Sequence, residues 1–164
     1  MVSHTSSHTA DTLRQELKRV DWSRVETAYG VATSVPSQLE RLYSHDHADA
    51  MLASHELWCG LCHQHAFVST AALPALPFLL RALEDLDDKL KTEILDILYG
   101  FVVCTGGAAL ETLPEWEQQL RRLLVAESPR FTVLQQHPDP DVSSFATMIC
   151  EELDTPFWKR RVET

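Results

Sequence analysis

The chain has 164 residues, of which 45% are hydrophobic and five are glycine, and its formal net charge is −10. This length fits one domain, and the composition excludes both a disordered chain and a glycine-rich all-β protein. An acidic protein repels phosphate groups, so the charge disfavours nucleic acid and an anionic membrane surface as ligands.

The N-terminus lacks the basic start and apolar core of a signal peptide. No apolar run approaches the roughly 20 residues that a membrane-spanning helix needs. The four cysteines do not have the spacing of a disulfide framework, so we expect all of them to be reduced: Cys59, Cys62, Cys104 and Cys150. These features predict a cytoplasmic protein that does not associate with membranes.

Three short helices are predicted in the first part of the chain. Apolar residues at helical spacing predict a helix over residues 9–20. Asp21 can cap a second helix that ends near Gly30, and Ser34 can open a third.

Two longer apolar helices follow. The first begins after Asp46, ends at His63-Gln64 and has one predicted core face, formed by Met51, Leu52, His55, Trp58, Cys59 and Cys62. The second covers residues 69–84 and is apolar nearly all round, so we expect it to be the central helix of the domain. Pro77 should bend that helix, because proline removes one backbone hydrogen bond.

An acidic turn over residues 84–88 leads into the next helix, whose N-terminal end its carboxylates favour. Farther on, Thr112 and Glu115 have the spacing of a capping box. The helix that they would open is predicted to bury Leu123 and to direct Arg121 and Arg122 outward.

No run of residues shows the alternation and β-branched bias of a strand. The longer helices fall into consecutive pairs: 46–64 with 69–84, 88–104 with 113–127, and 129–136 with 141–153. Helix pairs at a period of about 40 residues are typical of HEAT and armadillo repeats. The sequence therefore predicts an all-α protein, a short α-solenoid of antiparallel pairs with about eight or nine helices. Its one domain would cover 11–158, between a flexible tail (1–10) and a basic tail (159–164).

Four short segments resemble a bacterial HEAT-like family whose core pattern is Leu-Trp, His-Gln, Ala-Ala and Pro-Phe-Leu. They are Leu57-Trp58, His63-Gln64, Ala71-Ala72 and Pro77-Phe78-Leu79, in that order. The resemblance is concentrated in residues 46–104 and implies a helical-repeat fold. Some similar bacterial proteins look like immunity proteins, so the resemblance also implies a protein that neutralises a toxin.

Histidines and cysteines are concentrated between residues 45 and 65. Four of them share a broad helical face, His55, Cys59, Cys62 and His63, and the others are His45, His47 and His65. Zinc binds Cys and His side chains, but ligands from one continuous helix cannot easily surround an ion. We therefore expect no metal or other cofactor. A zinc-binding helical domain or a metal-dependent hydrolase is the alternative function.

We expect His63 and Gln64 to have a structural role, because their side chains could satisfy the carbonyl groups at the end of the long helix. Trp58 and Pro77 are assigned to the same structural corner. No catalytic set is recognisable, so the protein is predicted not to be an enzyme.

The sequence predicts instead a module that presents one helical face to a basic protein, as an immunity or adaptor protein does. The predicted contact surface consists of the acidic turn and two later acids: Glu84, Asp85, Asp87, Asp88, Glu93 and Asp96. Three arginines leave only a small opening for nucleic acid: Arg121, Arg122 and Arg130.

Overall fold

The computed structural model describes residues 4–160, and the protein is all-helical apart from one short hairpin in that range. The α-helices are α1 (His4–Lys18), α2 (Val35–Arg41), α3 (His47–Cys62), α4 (Ala72–Asp85), α5 (Asp88–Thr105), α6 (Glu115–Ala126), α7 (Ser128–Leu134), α8 (Pro140–Asp154) and α9 (Phe157–Arg160). The predicted all-α class is confirmed. None of the described helices is both long and apolar enough to cross a membrane. Residues 1–3 of the predicted N-terminal tail and 161–164 of the predicted C-terminal tail lie outside the described residues. The N-terminal tail is predicted to extend to residue 10, but α1 already begins at His4.

The segment after Asp21 is not the predicted helix. One 3-10 turn (Trp22–Arg24) is followed by an antiparallel hairpin of β1 (Glu26–Thr27) and β2 (Gly30–Val31). Gly30 has a φ of 116°, a value that residues with a Cβ atom rarely adopt. Glycine at this position therefore allows the chain to reverse direction in the hairpin. Main-chain hydrogen bonds tie the hairpin to the end of α3 and to the segment before α4, and these contacts replace the bonds of a helix.

The longer helices form two layers. In the first layer, α5 lies between α3 and α8 and packs against both. In the second layer, α4 lies between α2 and α6. Because α5 also contacts α4 and α6, it is the central helix of the domain, and the prediction that α4 has this place is wrong.

The helix pairs differ from the predicted ones in part. The contact of α7 with α8 agrees with the sequence, and α5 does contact α6. However, α3 packs mainly on α2 and α5, whereas α4 packs mainly on α5. Only Leu86 and Asp87 separate α4 from α5, which forces them to be neighbours, whereas residues 63–71 form a longer, irregular link between α3 and α4. The α-solenoid stays a prediction.

Three predictions about α6 are wrong: its capping box and the orientations of Leu123 and Arg121. Among the described residues, no side chain caps this helix, and Thr112 donates instead to the carbonyl oxygen of Ala109 at 2.6 Å, so the capping box does not form. Leu123 is 41% exposed and Arg121 only 7%, the reverse of the predicted orientation. The guanidinium of Arg121 turns inward because main-chain carbonyl groups are available to it there.

Two carbonyl oxygens, at the C-terminal ends of two helices, accept hydrogen bonds from Arg121. They belong to Val102 in α5, at 2.8 Å, and Glu152 in α8, at 3.1 Å. A buried cation at the negative end of a helix dipole is stabilising. Burial itself lowers the pKa of Arg121. This arginine therefore joins α6 to both α5 and α8.

Candidate interaction surface

The side of α3 that was predicted to be core is in fact partly open. Of the predicted face, Cys62 is buried as expected, but the other buried residues of α3 are mostly small and lie outside that face: Ala50, Ala53, Ser54, Leu57, Gly60 and Leu61. Leu52 is 51% exposed, His55 is also exposed, and Trp58 and Cys59 are only half-buried. Small residues allow α2 and α5 to approach α3 closely, so the larger side chains lie at the edge of the contact.

Five rings continue this edge across the first layer, and we call them the aromatic row: His55, Trp58, His65, Tyr99 and Phe145. Successive ring centroids are 5.7, 5.7, 5.3 and 6.4 Å apart. The row begins on α3, passes through the link after it, and crosses α5 to reach α8. It lies along one side of all three helices of the layer.

The link after α3 begins with an unusual turn. His63, Gln64 and His65 have φ values of 41°, 55° and 67°, so three successive residues other than glycine are left-handed. Each such residue is strained. The turn points the two histidines in different directions: His65 enters the aromatic row, whereas His63 lies 6.1 Å from Tyr29 and 4.9 Å from Phe67, measured between ring centroids.

Polar contacts hold His65 in the row. Its Nε2 atom is 2.7 Å from Oδ1 of Asp96 and 3.0 Å from the carbonyl oxygen of the same residue. The indole Nε1 of Trp58 is 3.1 Å from that Nε2. Nε2 can accept from the indole N–H only when it carries no proton, so this bond and the bond to Asp96 are alternatives. With the proton on Nε2, Asp96 anchors the end of the strained turn to α5.

Ser69 performs the role that the sequence assigned to the side chains of His63 and Gln64. Its hydroxyl donates to the carbonyl oxygens of Gly60 and Leu61 at 3.0 and 3.1 Å, near the end of α3. Its N–H group donates to Leu61 as well, at 2.9 Å. Nothing but its position before an apolar helix distinguishes this serine in the sequence, which is why it was missed. Trp58 does lie at the corner, whereas Pro77 lies on the exposed side of α4.

Gly100 allows α5 to lie close to this turn. A Cβ atom added there would be 2.7 Å from Sγ of Cys62 and 2.7 Å from Cδ2 of His65. Both distances are shorter than real contacts, so a larger residue would push the turn away from α5.

Two of the acids predicted to contact a partner lie beside the aromatic row. Glu93, Asp96 and Tyr99 are spaced three apart on α5 and so share a side of it. Burial raises the pKa of Glu93, and the nearby carboxylate of Asp96 raises it further, whereas His55 acts in the opposite sense. No lysine or arginine among the described residues pairs with Glu93.

The four acids of the turn before α5 are occupied within the protein. Glu84 pairs with Arg130, and Asp85 accepts a hydrogen bond from the Tyr43 hydroxyl at 3.0 Å. Asp87 caps α5 through the N–H group of Leu90 at 3.1 Å, and Asp88 lies 3.5 Å from Nε2 of His137. The turn therefore stabilises the fold in several places.

The residues of the predicted metal site do not come together in the structure. Nε2 of His55 is 3.6 Å from Sγ of Cys59, but His63 points away toward Phe67. Burial raises the pKa of the Cys62 thiol to about 12, which disfavours the thiolate that a metal would bind. Within residues 4–160, no three His, Cys, Asp or Glu side chains form a group that could hold a metal ion.

A cavity of about 600 Å³ lies elsewhere, between α1, α2 and α4. Three arginines line it, and each pairs with one or more carboxylates: Arg14 with Glu40, Arg41 with Asp49 and Glu56, and Arg81 with Glu16. These ion pairs offset the arginine charge, so the cavity does not indicate a particular ligand.

Charge is unevenly distributed between the layers. The first layer carries nine acidic residues against two lysines and has no arginine; the acids are Asp49, Glu56, Asp88, Glu93, Asp96, Asp141, Glu151, Glu152 and Asp154, and the lysines are Lys89 and Lys91. This balance of −7 is most of the net charge of −10. Comparisons with protein-family models, curated proteins and solved structures found no match.

Proposed function

We propose that the protein is a non-enzymatic binding module that holds a basic protein partner against its first layer of helices. The observation that carries this proposal is the balance of −7 on α3, α5 and α8, which is still −6 when Arg41 of α2, paired with Asp49 and Glu56 on α3, is included. Arginines occur on α1, α2, α4, α6 and α7, but not on these three helices. A surface of one sign attracts a partner of the opposite sign and speeds its association.

Aromatic side chains add a second kind of support. Interfaces are enriched in tryptophan and tyrosine, which bury much area and lose little conformational entropy. The aromatic row offers such side chains beside acidic ones on a single face. Strain of the kind seen at His63, Gln64 and His65 is concentrated at functional sites in proteins, which also favours this region.

Support is stronger for Glu93 as a partner contact than for the acidic turn. All four turn acids already have partners in the fold, and binding would have to compete with them. Asp96 is engaged in the same way, by His65, but it lies beside Glu93 on the same side of α5. We therefore place the centre of the contact surface on the aromatic row and treat the turn as its margin.

We propose further that the paired helices form a short α-solenoid and that binding neutralises or scaffolds the partner, as an immunity or adaptor protein does. Two layers of sequentially stacked helices are compatible with this arrangement. The metal-dependent alternative has no comparable support, because its four residues do not converge.

The test begins with capture of proteins from lysate of the native source on the immobilised full chain. A captured protein would then be purified, and its affinity measured by titration calorimetry. We expect a partner with net positive charge. We also expect Glu93→Gln to weaken its binding about fivefold, roughly 1 kcal/mol, because a partly desolvated charge pair is lost.

Glu111→Gln is the matched control, since it removes the same charge from an exposed residue outside the first layer. An acidic partner, or equal losses in the two variants, would contradict the proposal. Circular dichroism of both variants would show whether the helices are retained.

A further inference from the structure

The carboxylates of Glu93 and Asp96 lie beside rings of the aromatic row. Glu93 lies close enough to His55 to interact with it electrostatically, and Asp96 contacts His65. Tyr99, one turn later, contacts the ring of Phe145 on α8. The face therefore presents negative charge and aromatic surface side by side over the width of three helices.

The geometry of the row leaves ring surface available. Trp58 with His65, His65 with Tyr99, and Tyr99 with Phe145 meet at interplanar angles of 85°, 86° and 64°. An edge-on pair uses the face of only one of its rings. None of the five residues is fully buried: His55 is exposed and the other four are half-buried, although Trp58, Tyr99 and Phe145 also pack against the hydrophobic core.

The three helices of this layer carry little positive charge, although Arg41 of the neighbouring α2 pairs with Asp49 and Glu56 on α3. Neither α3 nor α8 contains a lysine or arginine, and the two lysines of α5 are in its first turn. Glu93 is half-buried next to Asp96, and its pKa is raised first by burial and then by the neighbouring carboxylate of Asp96. A cation placed between them would relieve this repulsion.

We propose that the aromatic row, with Glu93 and Asp96, binds arginine side chains of the partner in preference to lysine. The guanidinium group is flat, so it stacks on aromatic rings, and its fork of N–H groups fits a carboxylate. An ammonium group is a compact, strongly hydrated charge and does neither as well. This inference rests on the proposed function and specifies the chemistry of the partner.

The probes are two fluorescently labelled peptides of equal length, oligo-arginine and oligo-lysine, titrated with the full chain while fluorescence anisotropy is recorded. We expect oligo-arginine to bind about three- to fivefold more tightly, the range of one exposed cation–π contact. In NMR spectra, the indole N–H signal of Trp58, assigned with Trp58→Phe, should shift more with oligo-arginine than with oligo-lysine.

Two pairs of variants locate the effect. Phe145→Leu removes a ring from the row, and we expect it to reduce the preference for arginine while oligo-lysine binding stays the same. Phe67→Leu, which removes an exposed ring outside the row, should leave the preference unchanged. Glu93→Gln should weaken both peptides more than Glu111→Gln does.

Different failures have different meanings. If both peptides bind equally and Glu93→Gln weakens both, the arginine preference is overturned while binding of a basic partner stands. If Phe145→Leu and Phe67→Leu have the same effect, the row is not the arginine site. If neither peptide binds at low ionic strength, the inference fails, and the proposed function fails with it unless a captured basic partner binds the full chain.

Discussion

His63, Gln64 and His65 are left-handed although none of them is glycine, and each such residue costs on the order of 1 kcal/mol. The surrounding structure must therefore hold the turn in place. Asp96 does so through His65, and Gly100 does so by leaving room for Cys62 and His65 beside α5.

Gly100→Ala tests this close approach. A gain in helix propensity of about 1 kcal/mol would favour the substitution if space were available. Because the new Cβ would lie 2.7 Å from two side-chain atoms, we expect a net destabilisation of about 1–3 kcal/mol in urea denaturation.

Gly107→Ala is the control, because its Cβ would meet its nearest neighbour at an ordinary 3.6 Å. Adding Cys62→Ala to Gly100→Ala should recover part of the loss, since it removes one of the two crowded atoms. Equal stability of the two glycine variants would refute the close approach.

The Glu93 carboxylate makes the stability of the fold depend on pH. Its pKa is raised in the folded protein, so the folded state binds its proton more tightly than the unfolded state does. Stability linked to this group is therefore full at low pH and is lost as pH rises from its ordinary pKa through the raised one. Glu93→Gln should raise the melting temperature at pH 7 and have no such benefit near pH 4. A benefit of the same size at both pH values would contradict the assignment.

At the scale of the helices, Arg121 joins three of them by donating to carbonyl groups at the ends of α5 and α8. Arg121→Met keeps most of the apolar stem but leaves both carbonyl groups without this donor. We expect a loss of about 2–3 kcal/mol in the free energy of unfolding, measured by urea denaturation, because hydrogen bonds to a buried charged group are lost.

Arg122→Met is a matched control on the same helix. Arg122 is exposed and bonds only to Gln118 among the described residues, at 3.0 Å, so its loss should change stability by less than about 0.5 kcal/mol. Similar losses in the two variants would refute the joining role of Arg121.

The sequence predicted most helices to within a few residues, because caps and apolar spacing are local signals. The long helix begins after Asp46, which caps α3, and the acidic turn leads into α5, which Asp87 caps. The sequence could not predict which face of α3 is buried. One face carries alanine and leucine, the other carries larger apolar residues and a histidine, and either could form a core contact. That choice depends on how closely α2 and α5 approach, which is not encoded within α3 itself.

The candidate site was predictable only in its parts. In the sequence, charge distinguishes Glu93 and Asp96, and Trp58 and His65 each belong to a local cluster of aromatic, histidine and cysteine residues. Tyr99 and Phe145 were not connected with them, because the row forms only when α3, α5 and α8 stack in that order. The left-handed turn was missed as well, since three residues other than glycine give no local signal for it.

At the scale of the whole molecule, charge is separated between the two layers. The first layer has a net charge of −7, most of the protein's −10, whereas the arginines of α1, α2, α4, α6 and α7 lie on other helices and several pair with nearby carboxylates, including Asp49 of the first layer. Like charges on adjacent helices repel one another, and this repulsion lowers the stability of the compact state. A surface kept for binding a basic partner would carry this cost in the free protein.

Salt should therefore stabilise the free protein and weaken its binding to a basic partner. Raising ionic strength from about 0.01 to 0.15 M shortens the screening length from about 30 to about 8 Å, which reduces repulsion between neighbouring helices. We expect the melting temperature to rise over this range, measured by circular dichroism with sodium chloride.

The rise should be smaller in a Glu93→Gln, Glu151→Gln double variant than in a Glu111→Gln, Glu115→Gln variant, because only the first pair lies in the first layer. A melting temperature that falls with salt would mean that ion pairs such as that of Arg41 with Asp49 outweigh the repulsion. In that case, the separation of charge would carry no cost in stability.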